Sequence, residues 1–350
     1  MKVISARNVQ GALPMALDAL NGANATVERE TRNGPVIQFV EPVTTVYGQP
    51  HERVIFWPQR DANPFFHLFE AIWMMAGRND VEPVAAYVAN MRNYSDDGVT
   101  FHGAYGYRWR YSFGFDQLAT IILALRKDPT CRRQVLSMWD ASIDLARRMA
   151  DGSGGKDLPC NLQALFSIGW GGALDMLVTN RSNDLVWGAY GANAVHFSFL
   201  HEFMASAIGV PLGRYRQMSN NLHVYKATLA QVEGIAEQAW NIPDPYAEAV
   251  VRPYPIMAHG DWANWLSEAQ AFVENPGVMG LTEPFFRRVA VPMHEAYFIY
   301  KNHANPHRFD EALERLQDVK ATDWRMAAKE WIGRRLGKFL KANDNGVAYD

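Results

Sequence analysis

Residues 63–77, NPFFHLFEAIWMMAG, are apolar on every side. Asn63 and Pro64 supply a cap and a first helical residue and Gly77 supplies a stop, so the pattern predicts a helix across the segment. A helix with one polar face can lie on a surface, but this one must be covered all round. The segment NAVHFSFLHEFMASAIG, 193–209, has the same character and ends in Gly209. Two helices that both need burial demand further layers on each side of them, which 350 residues with 48% hydrophobic content can supply. Glu70 lies inside the first helix. An ionisable group in such a place is either held by a partner or used for chemistry.

Around these helices the chain alternates without a regular period. VIQFVEPVTTVYG, 36–48, is rich in β-branched and aromatic residues and suggests strand pairing near the N-terminus. DQLATIILALRK, 116–127, reads as a short amphipathic helix ended by DPT, and RRQVLSMWD, 132–140, as a strand. LQALFSIGWGGALDMLVTNRS, 162–182, reads as two strands joined near the Gly-Gly pair. With no βαβ period and no repeat, the expected class is α+β, a mixed sheet packed with helices. One domain is expected over 1–255, and 256–350 as a mainly helical C-terminal extension built from PHRFDEALERLQDVK and DWRMAAKEWIGRRLGKFLKA.

The formal net charge of −3 argues against a polyanion-binding surface, so nucleic acid is a poor partner and any phosphate should be met by a few placed arginines. Two cysteines, Cys131 and Cys160, make no disulfide framework, and no 18-residue apolar stretch is present. The chain reads as soluble and cytoplasmic, without a membrane partner. No glycine-rich nucleotide loop follows any strand. His196 and His201 are five apart, off the spacing of zinc helices, and read as ordinary helix residues; no metal site is expected.

Two arginine groups flank Cys160 in sequence. Arg132-Arg133 opens one strand, and Arg181 with Ser182, in NRSND, ends another. Guanidinium forks beside a hydroxyl suit a phosphate dianion. A free cysteine packs as a small hydrophobe, but a positive environment favours the thiolate, which is the attacking form.

Seven motifs in order carry a resemblance. They are TRNG (31–34), FEAIWMMAG (69–77), HGAYGYRWR (102–110), CRRQVLSMWD (131–140), LPCN (158–161), NRSNDLVWG (180–188) and NLHVY (221–225). Together they resemble the thymidylate synthase superfamily, which includes the pyrimidine nucleotide 5-hydroxymethylases. The resemblance implies a pyrimidine nucleoside monophosphate as substrate, 5,10-methylenetetrahydrofolate as one-carbon donor, and a sheet-mediated homodimer. It implies that Cys160 is the nucleophile, adding to carbon 6 of the base, and that Glu70 is the buried proton-shuttling carboxyl with Tyr105 in its water network. Asp184 matches the acid that meets the folate pterin. Arg32, Arg181 and Ser182 match phosphate positions, Arg132 and Arg133 the pair that reaches the other subunit's phosphate, and His223 with Tyr225 the pair at the sugar hydroxyl. Asn193 matches the base-reading amide if one residue is inserted in GAYGAN; without the insertion the position is Ala192.

Departures from the synthases point to hydroxymethylation. NMRNYSDDG, 90–98, carries Met91 and Tyr94 and lacks the synthases' tryptophan, the chain ends NGVAYD without their short apolar tail, and NRSNDLVWG and NLHVY look more like the phage hydroxymethylases. Methylation needs the folate retained as reductant; hydroxymethylation needs a water in its place. An amide at 193 suits uracil, so the expected reaction is dUMP to 5-hydroxymethyl-dUMP. A dCMP or CMP hydroxymethylase, a methylating synthase and a catalytically silent nucleotide-binding homologue are the alternatives.

Overall fold

A computed structural model of the chain describes residues 1–151, 155–169, 171–258, 260–302 and 307–344. Its strands, in chain order, are β1 (Lys2–Ala6), β2 (Thr26–Arg29), β3 (Val36–Phe39), β4 (Val43–Tyr47), β5 (Val135–Ser137), β6 (Asn161–Ile168), β7 (Leu174–Asn180), β8 (Asn183–Asp184), β9 (Leu212–Ser219) and β10 (Leu222–Tyr225). Six of them make a mixed sheet in the order β1-β4-β9-β7-β6-β5, with β1–β4 and β7–β9 parallel and the other pairs antiparallel. A smaller sheet has the order β2-β3-β10-β8. Helices alternate with these strands along the chain, so the class is α+β. VIQFVEPVTTVYG yields β3 and β4, but Pro42 interrupts the run and the two strands enter different sheets; the early pairing is β2 with β3.

Strand register gives the large sheet one covered and one open face. The row Ile4, Thr45, Gln217, Val178, Ala164 and Leu136 runs across all six strands and every member is buried. One step along lies the row Ser5, Val46, Arg216, Leu177, Leu165 and Val135, whose members are exposed or half-buried. The helix Asn193–Ile208 packs on β7 and β9, and Phe197, Phe199 and Phe203 on it are fully buried. Truncating one such ring to Ala costs about 3–5 kcal/mol through lost transfer energy and the cavity left behind.

The helix Pro64–Met75 packs against that central helix. Asn63 caps it, its side chain accepting from the N–H groups of Phe65 and Phe66, and Pro64 occupies the first position as the sequence suggests. Its outer side is covered by helices Trp262–Glu274, Val291–Asn302 and Thr322–Asp344, with Phe65 meeting Trp331 at 5.6 Å between ring centroids. A single hydrophobic cluster therefore runs from Ile4 to Ile332. The end NGVAYD lies outside the described residues. Among the described residues no helix is long and apolar enough to cross a membrane.

Candidate active site

Cys160 precedes β6 at the edge of a cavity of about 880 Å³. Arg181 holds its loop: the guanidinium donates to the carbonyls of Pro159 at 2.8 Å and Leu158 at 3.1 Å, while the Arg181 N–H donates to the Cys160 carbonyl at 2.9 Å. From the other side the Tyr105 phenol oxygen accepts from the backbone N–H groups of Cys160 (3.1 Å) and Asn161 (3.2 Å). That leaves the phenol proton free to donate. Tyr105 can approach only because Gly106 follows it, since a Cβ on Gly106 would sit 1.8 Å from the Met74 carbonyl oxygen in the Pro64–Met75 helix. Burial raises the Cys160 thiol above its ordinary pKa, with Asp157 adding to the rise and Arg181 opposing it. Desolvation is the larger effect in the free chain, and the Arg181 charge opposes it.

Arg32, Arg181, Ser182, Asp184, Asn193, His223 and Tyr225 line the same cavity as Cys160. Arg132 and Arg133 do not; both are exposed on the segment before β5. Asp184 caps the turn that follows β8, accepting from the Trp187 N–H through one oxygen, while its Oδ2 is buried with no hydrogen-bond partner. Burial pushes this carboxyl above the usual range. His223 is lowered by burial, and its Nδ1 lies 3.0 Å from Asn221 Oδ1.

GAYGAN contains a kink. Tyr190 and Gly191 leave helical geometry (φ −131°, ψ −117° at Gly191), and the regular helix restarts at Asn193, which faces the cavity with Cys160. Ala192 faces a smaller cavity instead.

Asn193 stands in a chain of amides whose polarity is set from one end. The Ala189 carbonyl accepts from Gln217 Nε2 at 3.1 Å, so Gln217 turns its Oε1 to Asn183, which donates at 3.3 Å. Asn183 Oδ1 then accepts from Asn193 Nδ2 at 2.9 Å, and Asn193 Oδ1 accepts from Asn161 Nδ2 at 3.1 Å. Asn161 in turn accepts from Asn180. Each amide has one orientation that satisfies both neighbours, leaving Asn193 one N–H and one oxygen lone pair to present. Gly188 makes room, because a Cβ there would lie 2.5 Å from Asn183 Oδ1.

Glu70 lines the second cavity, of about 220 Å³, with Met91, Tyr94, Asp157 and His196. The two cavities share Tyr94, Tyr105, Lys156 and Asn193. His196, read from sequence as an ordinary helix residue, is 6% exposed with Nε2 3.2 Å from Glu70 Oε2. The ring N–H is not aligned on that oxygen, so both atoms are buried without a hydrogen bond. His196 follows Asn193 by three residues, and that spacing, which puts both on one helix face, was the available signal. Asn161 and Asn183 sit inside LPCN and NRSND but only their contacts show their part. Burial also raises the Asp157 carboxyl, which accepts from the Gly103 N–H at 2.8 Å. Among the described residues no group of three or more His, Cys, Asp or Glu is placed to hold a metal ion.

Comparison with known proteins gives the family. The family model described as thymidylate synthase matches residues 61–250. The chain is 56% identical to the deoxyuridylate hydroxymethyltransferase of Pseudomonas phage M6 over the whole of both chains. It is 38% identical to the protein of that name from Bacillus phage SP01, over 55% of this chain and 51% of the other, and 32% identical to that from Delftia phage PhiW-14, over 59% and 58%. A family match across residues 61–250 and full-length similarity to a phage enzyme lead to one conclusion: the chain belongs to the thymidylate synthase family.

Proposed function

We propose that this chain converts dUMP to 5-hydroxymethyl-dUMP, taking its one-carbon unit from 5,10-methylenetetrahydrofolate and its hydroxyl from water. The observation that carries the reading is the shared boundary of the two cavities, which sets a thiol, an oriented amide and a buried carboxyl around one space. Full-length similarity to a phage deoxyuridylate hydroxymethyltransferase supports the same substrate.

Arg181, Ser182 and Arg32 bind the 5′-phosphate, and His223 with Tyr225 hold the sugar hydroxyl. Asn193 reads the base. Its fixed N–H meets an acceptor and its free lone pair meets a donor, which is the O4 and N3–H edge of uracil; cytosine presents the reverse. Cys160 adds through sulfur to carbon 6, and carbon 5 becomes nucleophilic. Burial favours the neutral thiol, so the proton must leave as the bond forms. Tyr105 stabilises the loop through its two accepted N–H bonds, and Glu70 takes up and returns protons beside carbon 5.

The folate fits the residues present. Asp184 Oδ2 is a buried acceptor without a partner in the cavity that holds Cys160, which suits the N–H edge of a pterin. When bound, the folate supplies carbon at the formaldehyde level. Methylation in place of hydroxymethylation is disfavoured by the space beside Met91 and Tyr94, which line the Glu70 cavity where water can enter.

We also propose a homodimer through the open face of the large sheet. Val3 and Val135 are exposed there beside half-buried Val46, Leu165, Leu177 and Met218. A second copy covering this face gives Arg132 and Arg133 a phosphate to reach in the partner. Residues 1–255 act as the catalytic unit and 256–350 as an elaboration that backs the Glu70 helix, and the enzyme works in the cytoplasm of a bacterium or phage-infected host. The reading is tested with Cys160→Ala. Calorimetric binding of dUMP should persist while product formation is lost, and normal turnover by the variant would refute the assignment.

A further inference from the structure

We propose that His196 is the base that takes the proton from the water attacking the exocyclic methylene, and is the residue that commits the product to hydroxymethyl. The inference rests on the reaction proposed above. Its starting point is a pair of buried polar atoms with nothing to satisfy them: His196 Nε2 and Glu70 Oε2, 3.2 Å apart and misaligned. Two such atoms facing one cavity call for a guest that bonds to both. A water needs about 30 Å³ and two to four polar partners. The cavity has about 220 Å³; Trp73, Met74, Met91 and Phe101 give it apolar walls, and Asp157, Lys156 and Asn193 line it as well.

Position along the helix sets what that water can reach. His196 stands one turn beyond Asn193, and the two residues line the same cavity. A base held by Asn193 therefore turns its carbon 5 substituent toward the side on which His196 and Glu70 wait. Imidazole nitrogen can take up a proton, and Glu70 Oε2, 3.2 Å away, stabilises the imidazolium that forms.

The step balances without an oxidant or reductant. Water oxygen bonds to the methylene carbon, its proton passes to His196 Nε2, and the exocyclic double-bond pair moves into the ring as an enolate. The enolate then expels the Cys160 thiolate from carbon 6 and restores the ring double bond. Glu70 relays the proton from His196 to solvent.

The test separates loss of the carbon 5 hydrogen from addition of water. In a single turnover, with enzyme in excess over dUMP tritiated at carbon 5 and with methylenetetrahydrofolate present, His196→Gln should release tritium within about threefold of the wild-type rate, while hydroxymethyl product forms about 10²- to 10³-fold more slowly. An added small thiol should then be captured on the waiting methylene as a thioether product. Should the Gln variant fail to fold by circular dichroism, His196→Asn takes its place. An equal fall in tritium release and product would overturn the inference by placing His196 before the water step, and so would an unchanged product yield. A wild-type enzyme that forms no hydroxymethyl product at all sinks the proposed function itself, an outcome visible before any variant is made.

Discussion

The amide chain that begins at the Ala189 carbonyl predicts that a residue with no contact to the nucleotide helps choose its base. Gln217 is buried on the covered face of the sheet, and its carboxamide is the only member of the chain tied directly to a backbone carbonyl. To accept cytosine, Asn193 would have to turn over. Its oxygen would then face Asn183 Oδ1 and its NH2 would face the NH2 of Asn161, replacing hydrogen bonds of 2.9 and 3.1 Å by two unsatisfied contacts. At about 1–3 kcal/mol for each buried group left without a partner, the turn costs on the order of 2–6 kcal/mol. In Gln217→Met the shape is kept and the polarity is lost. Tyr47 still donates to the Ala189 carbonyl at 3.3 Å, and Ser219 still accepts from Asn183 at 3.0 Å. The Ser219 hydroxyl can equally donate, so Asn183 becomes free to turn and Asn193 with it. Losing one of the two penalties, about 1.4 kcal/mol, corresponds to about tenfold in selectivity. The assay is the ratio of kcat/KM for dUMP to that for dCMP, with products separated by mass. A fall of about tenfold with little change in urea stability is expected. An unchanged ratio in a folded variant would refute the polarity argument, whatever residue reads the base.

Further outcomes follow from other parts of the fold. Asn193→Asp should swing the same ratio toward dCMP, and an unchanged ratio there would move base reading to another residue. If each phosphate is met by the partner's Arg132 and Arg133, mixing inactive Cys160→Ala with an inactive Arg132→Ala/Arg133→Ala double variant should restore up to about a quarter of wild-type activity through heterodimers, and a mixture as inactive as its parts would count against sites shared between subunits. Asp323 is buried with its carboxyl pushed up to about 6 by desolvation, and it accepts from the Tyr246 hydroxyl at 3.0 Å. Because the folded protein holds this proton more tightly than the unfolded chain, its stabilising contribution is full below about pH 4 and is lost as pH rises through 6. Asp323→Asn should therefore gain on the wild type by on the order of 2–3 kcal/mol between pH 4 and pH 7 in urea unfolding, and a constant difference would contradict the assignment. Gly106→Ala should displace Tyr105 from the Cys160 loop and lower both stability and turnover; wild-type turnover would show that the close approach to Met74 is dispensable.

What could be read from residues alone was whatever depends on local pattern. The helices at 64–75 and 193–208, with their Asn-Pro start and glycine stops, came directly from capping chemistry and all-round apolar character. The strands around the Gly-Gly pair followed from alternation. The helix Val9–Leu20, which holds Pro14 inside it, falls in a segment the sequence pattern leaves unassigned, and nothing in that pattern separates β3 from β4 into two sheets. In the site, motif order brought Cys160, Arg181, Asp184 and His223 together, but contacts that cross elements were not legible. The amide chain joins residues from β6, β7, β8, β9 and the central helix, and the Glu70–His196 pair joins two helices, so no spacing in the sequence announces either. The direction of the Cys160 pKa was also hidden, since burial and charge oppose each other there and only the folded geometry decides between them.

The most direct test of the account is the mass of the product. Purified enzyme is incubated with methylenetetrahydrofolate and, in turn, dUMP, dCMP, UMP and CMP. dUMP should gain the elements of CH2O, with release of tetrahydrofolate. A gain of CH2 with release of dihydrofolate, or hydroxymethylation of dCMP in preference to dUMP, would contradict it.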